Sequence, residues 1–199
     1  MIFSLLTLPA AAEPQRLSPM DRKCQQEPAK DGVRCLEWRA VKIISLAEKN
    51  QAKLARALDL LRRALAISPV DLSILSNIAI CYSQMGEYKN ALNYCDKILK
   101  IKPSFVSIKF FKCMLEERLN YPEHECKECY GSVAQYYKDR LKTDDVNYVY
   151  AELMLGGPDA ERAKKNFLSG FAPGSESFKM WSELLRNFDR EKFLRQMLP

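Results

Sequence analysis

The stretch His124-Glu125-Cys126-Lys127-Glu128-Cys129 gathers the side chains of this chain that are most capable of chemistry. A C-x-x-C pair at a helix N-terminus, where the dipole lowers a thiol pKa, supports disulfide exchange, normally beside a βαβ unit. Pro122 suits the first turn of a helix, but the chain shows no strand pattern of useful length. With His124, the two thiols offer three soft ligands, whereas a closed zinc site takes four. Cys113 or a carboxylate would have to complete it. The remaining reading is a pair of disulfide cysteines or small buried hydrophobes. Disulfide use is the expectation, with Cys113 bridging to Cys126 or Cys129, and no metal site is predicted.

The inventory around that stretch is sparse. The 199 residues include seven cysteines but a single histidine. A Ser-His-Asp triad would have to be built on His124, and a metal site needing two histidines has no second one. The sequence contains no G-x-S-x-G elbow, no G-x-x-x-x-G-K-[ST] loop and no H-E-x-x-H. The acidic pairs Glu116-Glu117 and Asp144-Asp145 are adjacent, so on a helix their side chains diverge by about 100°. The chain is therefore expected to be no enzyme, with no catalytic residue and no cofactor. A thiol oxidoreductase at Cys126/Cys129 is the outside alternative.

The formal charge is +6, from 31 Lys/Arg against 25 Asp/Glu. No run of five like charges occurs, and Arg62-Arg63 and Lys164-Lys165 sit among acids and apolar residues. These read as solvated helix faces. No aromatic-plus-basic stripe suggests a nucleic-acid platform, and no nucleic-acid partner is predicted.

The N-terminus reads as an export signal. Residues 2–8 are apolar and lead through Pro9 to Ala10-Ala11-Ala12-Glu13, an A-x-A-like cleavage pattern. The basic residues that normally precede the apolar run are missing, so residues 1–12 are expected to be a truncated signal peptide; a packed N-terminal arm is the alternative. No other stretch approaches the roughly 20 apolar residues of a membrane span. A periplasmic or secreted chain can staple itself with disulfides. Cys24 and Cys35 flank a Pro- and Lys-containing segment with little apolar content, in a region 13–37 where a bridge would do most to hold the chain. Cys81 and Cys95 are expected as packed thiols.

All of these groups need a framework, and periodicity makes it helical. Val41, Ile44, Ala47, Leu54, Ala57, Leu58, Leu61, Ala64 and Leu65 recur at three- and four-residue steps, as do Leu75, Ile78, Ala79, Tyr82, Ala91, Leu92, Cys95, Ile98 and Leu99. Ser68-Pro69, Gly86, Lys102-Pro103, Tyr121-Pro122, Gly156-Gly157-Pro158 and Pro173-Gly174 punctuate the runs. A hairpin is predicted over 105–119 and 122–140, and further helices over 144–155, 158–170, 175–187 and 189–197. Phe178, Trp181, Leu184, Leu185 and Phe188 share one face of the C-terminal part, read as a capping helix in a region 141–199.

A 34-residue spacing joins Ile44 to Ile78, Ala57 to Ala91, Ala64 to Ile98 and Pro69 to Pro103. Leu75, Ile78-Ala79, Tyr82, Gly86, Tyr88, Ala91, Ile98 and Pro103 resemble the tetratricopeptide repeat family. The match is close through Cys81–Ala91. Residues 38–71 match more weakly, with Glu48 where a tyrosine and Ala52 where the turn glycine belong. A degenerate third unit extends to about residue 140. The resemblance implies an all-α fold: helical hairpins in a short right-handed solenoid, with extra C-terminal helices.

It also implies a protein partner, since the first helix of each repeat lines a binding groove. Carried over by position, that groove comprises Arg39, Lys42, Ile43, Leu46 and Asn50, then Ser73, Ser76, Asn77, Ile80 and Gln84, then Ser107, Phe110, Phe111 and Met114. Phe110, Phe111 and Met114 also read as core. Lys42 and Asn77 fit the family's clamp for a C-terminal carboxylate, but Leu46, Ser107 and Phe111 do not. The expected function is an immunity or inhibitor protein that neutralises a secreted toxin or effector enzyme. The alternative is a scaffold for envelope assembly.

Overall fold

The computed structural model describes Cys24 and residues 32–199. The expected signal peptide at 1–12 lies outside the described residues. Among residues 32–199 ten α-helices follow one another and no strand occurs. The chain divides into two compact units, one through Met85 and one from Gly86.

The first unit contains α1 (Val33–Ser45), α2 (Gln51–Ile67) and α3 (Leu72–Gln84). Leu36, Ala40 and Ile44 of α1 are buried, as are Leu54, Ala57, Leu58, Leu61 and Ala64 of α2, so the three- and four-residue steps become one apolar stripe on each helix. The fully buried Leu54, Leu61, Ile74 and Ile78 each contribute roughly 1.5–3 kcal/mol. Asn50 caps α2, accepting from the Lys53 N–H at 3.0 Å. Asp71 caps α3, accepting from Ser73 and Ile74. Each cap satisfies N–H groups that a helix start leaves unpaired.

The second unit contains α4 (Tyr88–Ile101), α5 (Val106–Arg118), α6 (Glu123–Lys138), α7 (Val146–Leu155), α8 (Asp159–Leu168), α9 (Glu176–Arg186) and α10 (Arg190–Met197). From α4 to α9 each helix packs on its neighbour in sequence, the pattern of a helical repeat. Two polar knots tie the later helices. Lys138 meets the buried Glu152 at 2.8 Å and Asp159 at 2.9 Å, joining α6, α7 and α8. These hydrogen bonds, Glu152 first and then Asp159, hold the Lys138 ammonium well above the ordinary lysine range. Glu117 accepts from the Tyr130 hydroxyl at 2.8 Å and pairs with Arg190 at 2.9 Å, joining α5, α6 and α10. Aromatic rings fill the C-terminal part: Tyr150 stacks on Phe193 at 4.6 Å, and Trp181 meets Phe167 edge-on at 5.1 Å.

The repeat spacing governs the backbone. Helices α3 and α5 are both 13 residues long and start 34 residues apart, at Leu72 and Val106. Gly86 turns with φ +77°, and Asn120, 34 residues on, turns with φ +59°. The third hairpin therefore keeps the register of the second although its side chains have diverged. The first hairpin departs from it. Glu48 and Lys49 occupy the left-handed region, and Ala52, which stands in register with Gly86, lies inside α2. Helix α1 starts at Val33 rather than at the Trp38 that the 34-residue spacing gives.

Leu141 also has positive φ, +54°, at the end of α6. The Lys142 N–H reaches back to the Tyr137 carbonyl at 3.0 Å, as that of Tyr121 reaches Glu116 at the end of α5. This closure puts the residue before the donor in the left-handed region, where glycine or asparagine is usual. Leu141 is 89 % exposed, so its side chain gains little to offset the strain. Leu141→Gly is expected to stabilise the protein by about 1 kcal/mol, read as a higher urea midpoint with an unchanged slope.

Candidate functional site

The described structure brings the first-repeat candidates together in a cleft of about 690 Å³ on the α1–α2 pair. Helix α1 supplies Trp38, Arg39, Lys42, Ile43 and Leu46; helix α2 supplies Lys53, Arg56, Asp59, Leu60 and Arg63. The two stripes follow from helical spacing. Residues 39, 42, 43 and 46 share a face of α1, as residues 53, 56, 60 and 63 share a face of α2. The helices run antiparallel, so the Lys53 ammonium donates to the Leu46 carbonyl at 3.2 Å.

The cleft is amphipathic. Trp38, Ile43, Leu46 and Leu60 supply apolar surface, and Leu46 is 61 % exposed. Among the described residues of the lining, five cations stand against the single carboxylate of Asp59. Lys42 lies 4.9 Å from the centroid of the Trp38 ring, where the negative face of the indole steadies it. The Arg39 guanidinium donates to the Cys24 carbonyl at 3.0 Å. Cys24 is bonded to Cys35 at the start of the same stripe, with a Cα–Cα separation of 5.5 Å. That disulfide pins the chain at one end of the cleft.

The opposite flanks of α1 and α2 meet α3. Glu37 accepts from the Ser73 hydroxyl and, at 2.9 Å, from the Asn77 amide. Arg62 donates to the Tyr82 hydroxyl at 2.8 Å, and the Cys81 thiol lies 3.3 Å from the Leu54 carbonyl. Ser73 and Asn77 are therefore spent on Glu37, and Ser76 bonds its own Leu72 carbonyl at 2.6 Å. Ile80 and Gln84 are half-buried on α3.

Four groove assignments need correction: Asn50, Phe110, Phe111 and Met114. Asn50 lies beyond the end of α1 and serves as the cap of α2, because the first turn comes earlier than the repeat spacing places it. Phe110 and Met114 are 0 % exposed. Helix α5 also buries Ile108, Phe111, Cys113 and Leu115, so it is enclosed on more than one face and offers these rings to its neighbours.

Residues 73–105, which hold α3 and α4, match the family model described as Tetratricopeptide repeat. This stretch is similar to a tetratricopeptide repeat. No curated protein matches the chain. Repeats of this family generally serve protein–protein interaction, so the match suggests an interaction module. The cleft lies just before the matched residues, on the hairpin that precedes the repeat.

The C-x-x-C stretch forms no pair of its own. Cys129 is bonded to Cys113, with Cα atoms 5.6 Å apart, fastening α6 to α5. Cys126 is a buried thiol, 3.7 Å from the Tyr121 carbonyl. Burial, then the carboxylates of Glu117 and Glu116, push its pKa up, opposite to the shift a redox nucleophile needs. His124 is exposed on the first turn of α6. With Cys129 in a disulfide, His124, Cys126 and Cys129 cannot act together as metal ligands, and no three His, Cys, Asp or Glu side chains are grouped to hold a metal among the described residues. Burial also pushes the Cys95 thiol up to about 12. A thiol-specific chromogenic reagent is therefore expected to react negligibly with the native protein over minutes. It should count three thiols (Cys81, Cys95 and Cys126) in denaturant without reductant.

No helix among the described residues is long and apolar enough to cross a membrane.

Proposed function

We propose that this chain is a non-catalytic module of the periplasm or extracellular space. It acts as an immunity or inhibitor protein that binds and neutralises a secreted toxin or effector enzyme. The observation that carries the reading is the tetratricopeptide repeat at 73–105 in a chain stapled by two disulfides. Repeats of this kind present helical surface to proteins, and structural disulfides persist where the surroundings are oxidising. The open amphipathic cleft on the adjacent hairpin supplies a surface of the right character: apolar in part, ringed by charge, and built on a helix pair whose first helix is bonded to the preceding chain by a disulfide.

The test uses the full chain as bait on the secreted and envelope fractions of its source organism. One secreted hydrolase or toxin should co-purify, and added bait should abolish its activity at about equal molar amounts. Recovery of several envelope proteins with no activity inhibited would replace this reading with that of an assembly scaffold. Recovery of nothing specific would remove both.

A further inference from the structure

The charge and position of the α1–α2 cleft say what kind of partner it suits. Neighbouring hairpins of a helical repeat cover one another's flanks. In the first unit α3 takes one flank of the α1–α2 pair, through Glu37 on α1 and Arg62 on α2. The cleft is on the other flank, which a further helix would cover in a longer array. From Lys53 to Arg63 the wall runs ten residues, or about 15 Å, the length of nearly three helical turns. The wall is basic: Lys42, Lys53, Arg56 and Arg63 are exposed residues of the lining, and among the described residues Asp59 is its one acid. Those already engaged within the chain still contribute positive potential. Two other occupants fit the charge poorly. Residues 13–31 carry four acids and four bases, so they bring no net negative charge. A second copy carries +6 and is repelled at long range.

We propose that this cleft docks an acidic amphipathic helix of the partner protein, its carboxylates meeting Lys42, Lys53, Arg56 and Arg63 and its apolar edge lying on Trp38 and Leu60. The proposal rests on the binding-module reading above and gives it a site and a chemistry. The carboxylates supply steering and register, and the indole and leucine supply the desolvated anchor.

Trp38 reports on the site directly. The second tryptophan, Trp181, is replaced by phenylalanine in the full chain, leaving Trp38 as the sole indole. Emission is then titrated with a designed Glu/Leu amphipathic helix of about 14 residues, and with its Lys/Leu counterpart. The Glu/Leu peptide is expected to give a saturable change and the Lys/Leu peptide none. Affinity should fall about tenfold or more between roughly 50 and 300 mM salt, as screening of close charges requires. Lys42→Glu combined with Arg56→Glu should weaken binding at least about tenfold while circular dichroism and the urea midpoint stay unchanged. No saturable change, an equal response to the Lys/Leu peptide, or indifference to the charge reversals would overturn the proposal. So would concentration-dependent dimers by light scattering, which assign the cleft to a second copy. So would a Trp38 emission that ignores peptide but shifts to the red with Leu17→Ser and Met20→Ser, which assigns it to the chain's own N-terminal residues.

The two readings fail separately. If the double charge reversal still captures the toxin from the secreted fraction, the module reading survives and this cleft is not its site. If the cleft binds the acidic peptide but no secreted protein is captured, the cleft stands and the toxin-neutralising reading falls.

Discussion

Removing the Cys113–Cys129 bridge, by Cys113→Ala with Cys129→Ala, is expected to cost about 3 kcal/mol of stability. The bridge closes a loop with a sequence separation of 16, and cross-linking a loop of that size removes about this much free energy from the unfolded ensemble in the chain-entropy account. The bridge also fastens α5 to α6 within the second unit, so its loss should fall on that unit. Urea unfolding under non-reducing conditions gives the number. Unfolding of the wild-type chain in reductant separates the cross-link from the small volume change of the substitutions, although it opens Cys24–Cys35 as well. Cys126→Ser is the third arm. This thiol is buried beside two carboxylates, so the variant should lose about 1–2 kcal/mol for placing a hydroxyl there. The thiol count in denaturant without reductant should also fall from three to two. If Cys126→Ser instead raised the count to four, with Cys113 and Cys129 both free, the bridge would run through Cys126.

The choice between Cys126 and Cys129 was beyond the sequence for a plain reason. The two residues lie one turn apart on the same side of α6, and spacing alone cannot decide which meets Cys113. The framework was more legible. Ser175 and Asp189 stand at the starts of the helices expected over 175–187 and 189–197, and each caps one. The C-terminal helices fall within a few residues of the breakers that delimit them. The second helices of the first two hairpins obey the 34-residue spacing side chain by side chain: Ala57 with Ala91, Leu61 with Cys95 and Ala64 with Ile98 are all fully buried.

The first helix was harder to place, because in the first hairpin the turn moves to Glu48-Lys49. Position carried over from the family then sends Asn50 to a groove when its side chain is needed at a helix start. The α2 wall of the cleft escaped notice for a different reason. Lys53, Arg56, Leu60 and Arg63 form a visible stripe at steps of three, four and three, but family analogy gives binding to first helices only, so the stripe read as a solvated face. What periodicity cannot supply is whether a neighbouring helix covers a given flank. The two sides of α1 and α2 are alike in pattern, and only packing shows that α3 takes one of them.

Phe110 is where that gap has its largest measurable consequence. Analogy with the family sets it on a groove, whereas the structure encloses it completely. The two placements predict opposite results for Phe110→Ala. A groove residue would cost partner affinity and almost no stability. The buried ring should cost about 3–5 kcal/mol, the sum of lost transfer free energy and the cavity left behind. The effect should be at the upper end, because the ring packs edge-on against Tyr130 at 5.7 Å. The Tyr130 hydroxyl is held by Glu117, which also holds Arg190 of α10. A void beside Tyr130 would loosen the one polar knot that joins α5, α6 and the last helix. Phe110→Leu keeps most of the volume and should cost about half as much or less. It provides a folded reference if the alanine variant is too unstable to purify. Urea unfolding gives both values, and Tyr130→Phe supplies the coupling. Combined with Phe110→Leu it should be non-additive by about 0.5 kcal/mol or more, as contacting residues are. A loss below 1 kcal/mol for Phe110→Ala would return the ring to the surface and restore α5 to the list of partner-binding helices.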